Sequence, residues 1–338
     1  MSRVEHAPHA ASSAGHLPYR PRFQWRFLGP RFWGHWLALG VMLAITLLPW
    51  RWRHRLGRGL GGLVGARDER RQRRARINLD LCFPGLERAR REALVVEHLR
   101  LAGACLLDYG MFFFAPRAAL GRHLGVSGWS HVERARAEGR SVILLSCHTL
   151  GLEAGVQAAA LRTPGCGIFK RLQDPFSDWL MARGRARFNG DFYPRESSLR
   201  PIVRALRGGS VLYVLPDEDL GAEASVFAPF FGVPKATVTI VGRIARMTQA
   251  VVLPCVARVE PERRRYLLDV QAPLEGFPTG DAQRDAAAVN AALERLILEA
   301  PEQYLWSLRL FQTRPDGGPT PYRTQRARRV ADADEAAS

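Results

Sequence analysis

The residues best placed to do chemistry stand in one run, Ser141-Val-Ile-Leu-Leu-Ser-Cys-His-Thr-Leu-Gly-Leu-Glu153. An unbroken apolar segment ends, His148 follows, and a helical pattern starts within three residues. The chain has nine His, and all but His148 lie at or before His131. A working imidazole in the later part of the chain must therefore be His148. Glu153 follows it by five residues. On a regular helix five residues turn through about 500°, so the two side chains would point apart. They can meet only if His148 precedes the helix and Glu153 sits in its first turns. A carboxylate on one ring nitrogen fixes the tautomer and leaves the other nitrogen free to take a proton. That arrangement is a base for a hydroxyl group, with Glu153 as its orienting acid. A hydrogen-bonded structural His at a strand end would fit the same pattern.

A second cluster, Pro216-Asp-Glu-Asp-Leu-Gly221, follows another apolar run, Ser210 to Leu215. Its three acids could bind a metal, position Arg side chains or solvate a loop. Phe227-Ala-Pro-Phe-Phe-Gly232 follows, as core packing or as the lining of an acyl channel. Cys147 is next to His148, but neighbours leaving a strand point to opposite faces, so it reads as packing. Gly57-Arg-Gly-Leu-Gly-Gly62 matches G-x-G-x-x-G without a preceding strand and reads as a chance match. There is no G-x-S-x-G elbow. The five Cys form no Cys-x-x-Cys pair, so neither a zinc module nor a disulfide framework is indicated. No metal and no cofactor are expected.

These groups need a scaffold, and the pattern supplies one. Ser141 to Ser146, Ser210 to Leu215 and Val251 to Val256 read as buried strands, and Gly167 to Lys170 and Arg265 to Val270 as further strands. Helical stretches run over 87–110, 131–138, 151–161, 176–187, 198–207, 236–247 and 285–299. This alternation predicts an α/β fold with a mostly parallel or mixed central sheet flanked by helices. In such a sheet a His at a strand's carboxyl end faces the crevice where ligands bind.

The chain has 338 residues, 47% of them hydrophobic and 24% charged, with a mean hydropathy of −0.15. That excludes a disordered or collagen-like chain and a multi-span channel. The net charge is +17, and all but two of the 49 basic residues, Lys170 and Lys235, are Arg. Such a surface suits phosphate-bearing or acidic partners. From Phe32 to Trp50 no residue is charged. A bilayer-spanning helix needs about 20 apolar residues, so 32–50 is expected to be a membrane anchor, spanning or flat, and is read as one N-terminal, single-pass transmembrane helix. Residues 1–31 are expected to be a disordered tail. Residues 51–76 hold ten Arg against Asp68 and Glu69. This denser cluster predicts a domain over 51–314 on the cytoplasmic side, with a tail over 315–338.

With these residues in view, the sequence resembles a known family. His148-x-x-x-x-Glu153 resembles the H-x-x-x-x-[DE] motif of glycerolipid and lysophospholipid acyltransferases. Longer stretches resemble the lipid A biosynthesis late acyltransferases, which transfer lauroyl or myristoyl groups in Gram-negative bacteria. They are Asn78-Leu-Asp-Leu-Cys-Phe-Pro84, Pro216-Asp-Glu-Asp-Leu-Gly221, Ser225-Val-Phe-Ala-Pro-Phe-Phe231, Lys235-Ala-Thr237, Ala300-Pro-Glu-Gln-Tyr-Leu-Trp306 and Thr313-Arg-Pro315.

The resemblance implies a glycerolipid acyltransferase-like fold and transfer of a fatty acyl group from acyl carrier protein to the 3-hydroxyl of an acyl chain on a lipid A precursor. His148 would be the base and Glu153 its partner. Lys170, Arg171, Asp217, Asp219 and Arg309 would contact substrate. The implied partners are acyl carrier protein, the lipid A precursor and anionic lipids of the inner membrane, with no nucleic acid. Where this chain has Lys170 the family commonly has Arg. Where it has Asp217-Glu218-Asp219, lauroyl members often read Asp-His-Asp. The acidic block leans toward myristoyl members and the Ala-Pro-Glu-Gln-Tyr segment toward lauroyl ones, so donor length stays open. A membrane-tethered thioesterase or lipase, another lysophospholipid acyltransferase, and a non-enzymatic basic scaffold are the competing readings. A hydrolase would release fatty acid without an acceptor, and a scaffold would bind independently of His148.

Overall fold

The central strands bury side chains on both faces, which is why their sequences read as continuous apolar runs. A computed structural model describes residues 17–188 and 190–323. Its strands are β1 (Leu124–Ser127), β2 (Val142–Leu145), β3 (Gly165–Phe169), β4 (Gly190–Pro194), β5 (Val211–Val214), β6 (Ser225–Phe230), β7 (Val233–Val238), β8 (Val251–Glu260) and β9 (Arg265–Val270). Seven of them form one sheet in the order β1-β9-β8-β2-β5-β3-β4, while β6 and β7 pair as a separate antiparallel hairpin. In the large sheet only β8 and β9 are antiparallel neighbours. The expected mostly parallel, mixed sheet is therefore present.

The helices are α1 (Trp33–Thr46), α2 (Trp50–Arg67), α3 (Glu69–Cys82), α4 (Arg88–Leu107), α5 (Tyr109–Phe114), α6 (Arg117–Gly121), α7 (Ser130–Ala137), α8 (Leu152–Ala160), α9 (Pro175–Arg185), α10 (Arg200–Arg207), α11 (Ile240–Thr248) and α12 (Ala282–Leu298). Ile143 and Leu145 of β2 join Leu212 and Val214 of β5 in a core shared with α11 and α12. Val142 and Leu144 face the other way, toward Trp129, Val132 of α7 and Ala158 of α8. The sheet is thus a middle layer between two helical ones.

The expected transmembrane helix over 32–50 is corrected. Among the described residues no helix is long and apolar enough to cross a membrane. The 14 residues of α1 span about 21 Å, against about 30 Å of bilayer hydrocarbon. The helix stops because Leu47, Leu48 and Pro49 turn the chain, and Pro49 then stands as the extended N-cap residue of α2. Arg53 holds the break, donating from Nη1 to the carbonyls of Leu48 at 3.1 Å and Thr46 at 3.3 Å. Its Nε is hydrogen-bonded to the fully buried Asp108, which also accepts from the Tyr266 hydroxyl at 2.7 Å.

The tails also differ from expectation. Residues 17–31 are not loose: Tyr19 N–H donates to the Phe192 carbonyl at 2.8 Å, and Phe27 is buried against Phe176 and Trp179 of α9. At the other end the Tyr322 hydroxyl donates to Asn78 Oδ1 at 2.5 Å and accepts from the Phe311 N–H. The remainder of both expected tails, 1–16 and 324–338, lies outside the described residues.

Candidate active site

Two neighbouring strands set the site. β2 and β5 run parallel with Leu145 opposite Val214. Continuing that register by three residues on each strand sets His148 against Asp217, at the carboxyl end of the sheet. The Ser146 N–H still donates to the Val214 carbonyl at 2.9 Å, which carries the pairing past the formal strand end. His148 Nδ1 lies 2.7 Å from Asp217 Oδ1, and the His148 backbone N–H donates to Asp217 Oδ2 at 2.8 Å. Asp217 is fully buried and the His148 side chain is 21% exposed. One ring nitrogen is therefore fixed from within, and Nε2 faces outward. Burial presses His148 toward its neutral form, but the charge and hydrogen bond of Asp217 outweigh it and the pKa stands above the ordinary value. Burial likewise works against the Asp217 charge, and His148 more than offsets it, so that carboxyl stays below its usual range.

This corrects the expected pairing of His148 with Glu153. Glu153, buried in the first turn of α8, faces Arg185 at the end of α9. Arg185 Nε lies 3.0 and 3.1 Å from its two oxygens, and Nη2 also bonds Oε1. The reason is directional. Gly151 lets α8 start close against β8, where a side chain would meet the Ala257 carbonyl at 2.6 Å. The helix then carries Glu153 to the α9 side, while Asp217 on the adjacent strand takes the imidazole. Arg185 remains within electrostatic reach of His148, whose proton affinity it lowers. The H-x-x-x-x-E spacing thus places an imidazole and a carboxylate-held cation, not a bonded pair.

The acidic block divides its work. Asp217 holds the ring. Glu218 Oε1 stands 3.9 Å from His148 Nε2, and its other oxygen accepts from Arg195 at 2.9 Å. Asp219 turns away and binds the Thr313 N–H and hydroxyl at 2.6 and 2.7 Å. Of the expected substrate contacts, Lys170 is exposed just past β3. Arg171 lies over the Tyr19 ring at 4.8 Å, and Arg309 bonds Gln312 at 3.2 Å. None of these three is bonded to His148 or Asp217. Cys147 is fully buried and its thiol pKa is pushed well up by burial, as expected of a packing residue. Phe230 is core, so the Phe227–Gly232 stretch packs within the hairpin and its neighbours.

The late segment contributes a clamp that spacing alone did not reveal. The Leu305 N–H donates to the His148 carbonyl and the Leu150 N–H to the Gln303 carbonyl, each at 2.9 Å, with Thr149 bridged antiparallel to Tyr304. The Tyr304 hydroxyl donates to Asp217 Oδ2 at 3.1 Å. Asn78 on α3 secures the segment by donating to the carbonyls of Trp306 and Leu308 at 2.6 and 2.8 Å. The only signal for these contacts in the sequence was the presence of Asn78 and Tyr304 in the stretches that carried the resemblance.

The arrangement suits proton abstraction from a substrate hydroxyl beside a fixed positive charge. Comparison with known proteins identifies the family. The family model for bacterial lipid A biosynthesis acyltransferases matches residues 20–313. The lipid A biosynthesis lauroyltransferase of Escherichia coli (strain K12) is 37% identical over 303 residues, covering 89% of this chain and 99% of that protein. The palmitoleoyltransferase of the same strain is 34% identical, covering 88% and 96%. Its myristoyltransferase is 30% identical, covering 90% and 95%. A buried His–Asp pair at a strand end, the loop that holds it and the stretches that clamp it all fall inside the matched region, and the chain belongs to the bacterial lipid A biosynthesis acyltransferase family, enzymes that transfer acyl groups.

Proposed function

We propose that this chain moves a fatty acyl group from the thioester of an acyl carrier protein to the 3-hydroxyl of an acyl chain on a lipid A precursor. The observation that carries the reading is the His148–Asp217 pair, with Nε2 outward at the carboxyl end of two parallel strands. His148 Nε2 takes the hydroxyl proton as the oxygen attacks the thioester carbonyl. The carbon–sulfur bond then breaks, the new ester stays on the acceptor, and the proton passes to the departing thiolate. Arg185, held by Glu153, is the cation that steadies negative charge near the base. The exposed bases Lys170, Arg171, Arg183 and Arg204 fit an acidic carrier and the phosphates of a lipid A-type acceptor.

The same reading places the protein at the cytoplasmic face of the inner membrane. Leu37, Val41 and Leu47 on and after α1, and Trp52, Leu56 and Leu63 on α2, are exposed apolar side chains. Exposed Arg51, Arg55 and Arg67 accompany them. That composition supports helices lying in the interface against anionic lipid rather than crossing it.

Mass spectrometry of lipid A from cells with and without the chain tests the reaction. The intact chain should add one acyl chain's mass, and His148→Ala should abolish the addition while the protein still folds. Release of free fatty acid from acyl carrier protein with no acceptor would instead mark a hydrolase. An unchanged lipid A profile in cells that express the intact chain would remove the proposal.

A further inference from the structure

We propose that Tyr304 and Lys235 are positioning residues that keep Asp217 a fixed, ionised acceptor and thereby set the proton affinity of His148. The inference rests on the reading of His148 as the base. It makes residues 300–306 and the β6–β7 hairpin part of what tunes that base, beyond their place in the fold.

The argument begins at Asp217. A fully buried carboxylate is stable only where its lone pairs are occupied and its charge is balanced. Oδ1 meets His148 Nδ1, and Oδ2 accepts from the His148 N–H and from the Tyr304 hydroxyl. Tyr304 is itself fully buried, so its hydroxyl has no water to turn to. It is also locked by the backbone clamp on His148 to Leu150, so the ring that donates to Asp217 moves with the loop that carries the base.

Lys235 supplies the balancing charge. It is fully buried on β7, with its ammonium 5.9 Å from the centre of the Phe230 ring. Among the described residues its Nζ makes one hydrogen bond, to the Ala236 carbonyl at 3.3 Å. A buried ammonium so thinly bonded is favoured by negative charge around it, and the charges of Asp217, Glu218 and Asp219 act on it without a bonded contact. Burial lowers its proton affinity and those three acids partly restore it.

The charges around His148 are then countable by element. Asp217 and Glu218 come from the end of β5, with Glu218 tied to Arg195. Arg185 comes from α9, tied to Glu153 of α8. Lys235 comes from β7, Tyr304 from the late segment, and the protonated Cys147 thiol from the strand end itself. Tyr304 and Lys235 both draw on the Asp217 charge. Removing either leaves more of it for the imidazolium, so His148 keeps its proton to a higher pH and is a poorer base at neutrality.

Tyr304→Phe and Lys235→Met in the full-length chain test this. The acyl-transfer rate is followed against pH, and His148 is titrated by NMR of 13C-labelled histidine. One hydrogen bond to a charged group corresponds to about one pKa unit, a tenfold change in the neutral fraction. The inflection and the NMR titration should therefore move upward in each variant, by about one pH unit for Tyr304→Phe, whose hydroxyl is the one bonded to Asp217. The rate of each variant should recover at high pH and its KM should be unchanged. A folded variant that loses rate equally at every pH, or titrates like the parent, overturns the proposal. Should one variant fail to fold, the other decides. If the parent shows no His148-dependent transfer, the acyltransferase reading fails, and the NMR shift still reports on the positioning of Asp217.

Discussion

Asp217 and Glu153 are both buried acids facing a basic partner, but the partners differ, and so must the consequences of neutralising them. Asp217→Asn leaves His148 without the charge that supports its imidazolium and without a fixed tautomer. Transfer at neutral pH should fall by about 10²–10⁴, and the pH–rate inflection should move down, since the raised His148 pKa depends on that charge. Glu153→Gln leaves His148 bonded and slackens Arg185. Losing a hydrogen bond between charged groups costs about 1.5–3 kcal/mol, or roughly 10- to 150-fold in rate, with no downward move of the inflection. Equal downward shifts in the two variants would show that Glu153 serves the ring after all. At this scale the placement of the imidazole was legible: elimination left His148, and the buried run before it implied a strand end. Its partner was not. Which strand lies beside β2 is decided by long-range pairing, and the order β2-β5 cannot be read from spacing. Five residues of helix looked like the shorter route to a carboxylate, yet α8 carries Glu153 away.

Elements were legible where one period dominated and illegible where two fitted. The runs at Val142–Leu145, Val211–Val214 and Val251–Glu260 are strands as expected. The stretch read as a helix over 236–247 begins instead as β7, where Ala236 pairs with Phe227 and Val238 with Ser225, and α11 starts only at Ile240. Ala-Thr-Val-Thr-Ile-Val is apolar and β-branched enough for either state, and the hairpin partner decides. The Arg-rich region after Trp50, read as the flank of an anchor, forms α2 and α3. Its glycines, set aside as a chance motif, are packing devices. Gly57, Gly61 and Gly65 fall four apart on one face of α2, against Leu99, Gly103 and Ala104 of α4. A Cβ on Gly57 would lie 2.5 Å from the Ala104 Cα, and one on Gly103 would lie 2.5 Å from the Gly61 Cα. Neither backbone can yield without separating the helices. Gly103→Ala should therefore destabilise by about 1–3 kcal/mol through overpacking. Gly59→Ala, whose Cβ would meet nothing within 4 Å, should stabilise by up to about 1 kcal/mol through helix propensity. Thermal unfolding followed by circular dichroism should move in opposite directions for the two. Equal shifts would mean that α2 and α4 are not held backbone to backbone.

Among the described residues, many of the exposed large apolar side chains lie on α1 and α2. A 19-residue uncharged stretch is long enough to span a bilayer when counted, but the turn at Leu47 to Pro49 divides it, and Arg53 fastens that turn to Asp108 inside the protein. Drawing α1 straight through a bilayer would require unmaking that turn and leaving Asp108 with one cation fewer, which costs about 3–5 kcal/mol for a buried pair. Lying flat keeps the joint intact and still buries Leu37, Val41, Leu47 and Leu63, each exposed by half or more. At about 25 cal/mol per Å² the apolar term is substantial for several such side chains, and nearby Arg add about 1 kcal/mol each against anionic lipid. An in-plane attachment of this kind depends on both terms at once. Flotation with vesicles should fall when anionic lipid is replaced by zwitterionic lipid or when salt is raised, and it should fall again for Leu37→Ser/Val41→Ser at constant charge. A cysteine introduced at Gly34, near the start of α1, and one at Gly59 on α2 should both be labelled from the side of the catalytic domain. Labelling of the Gly34 position from the opposite side alone would show that α1 crosses, and that the joint at Arg53 opens in the membrane.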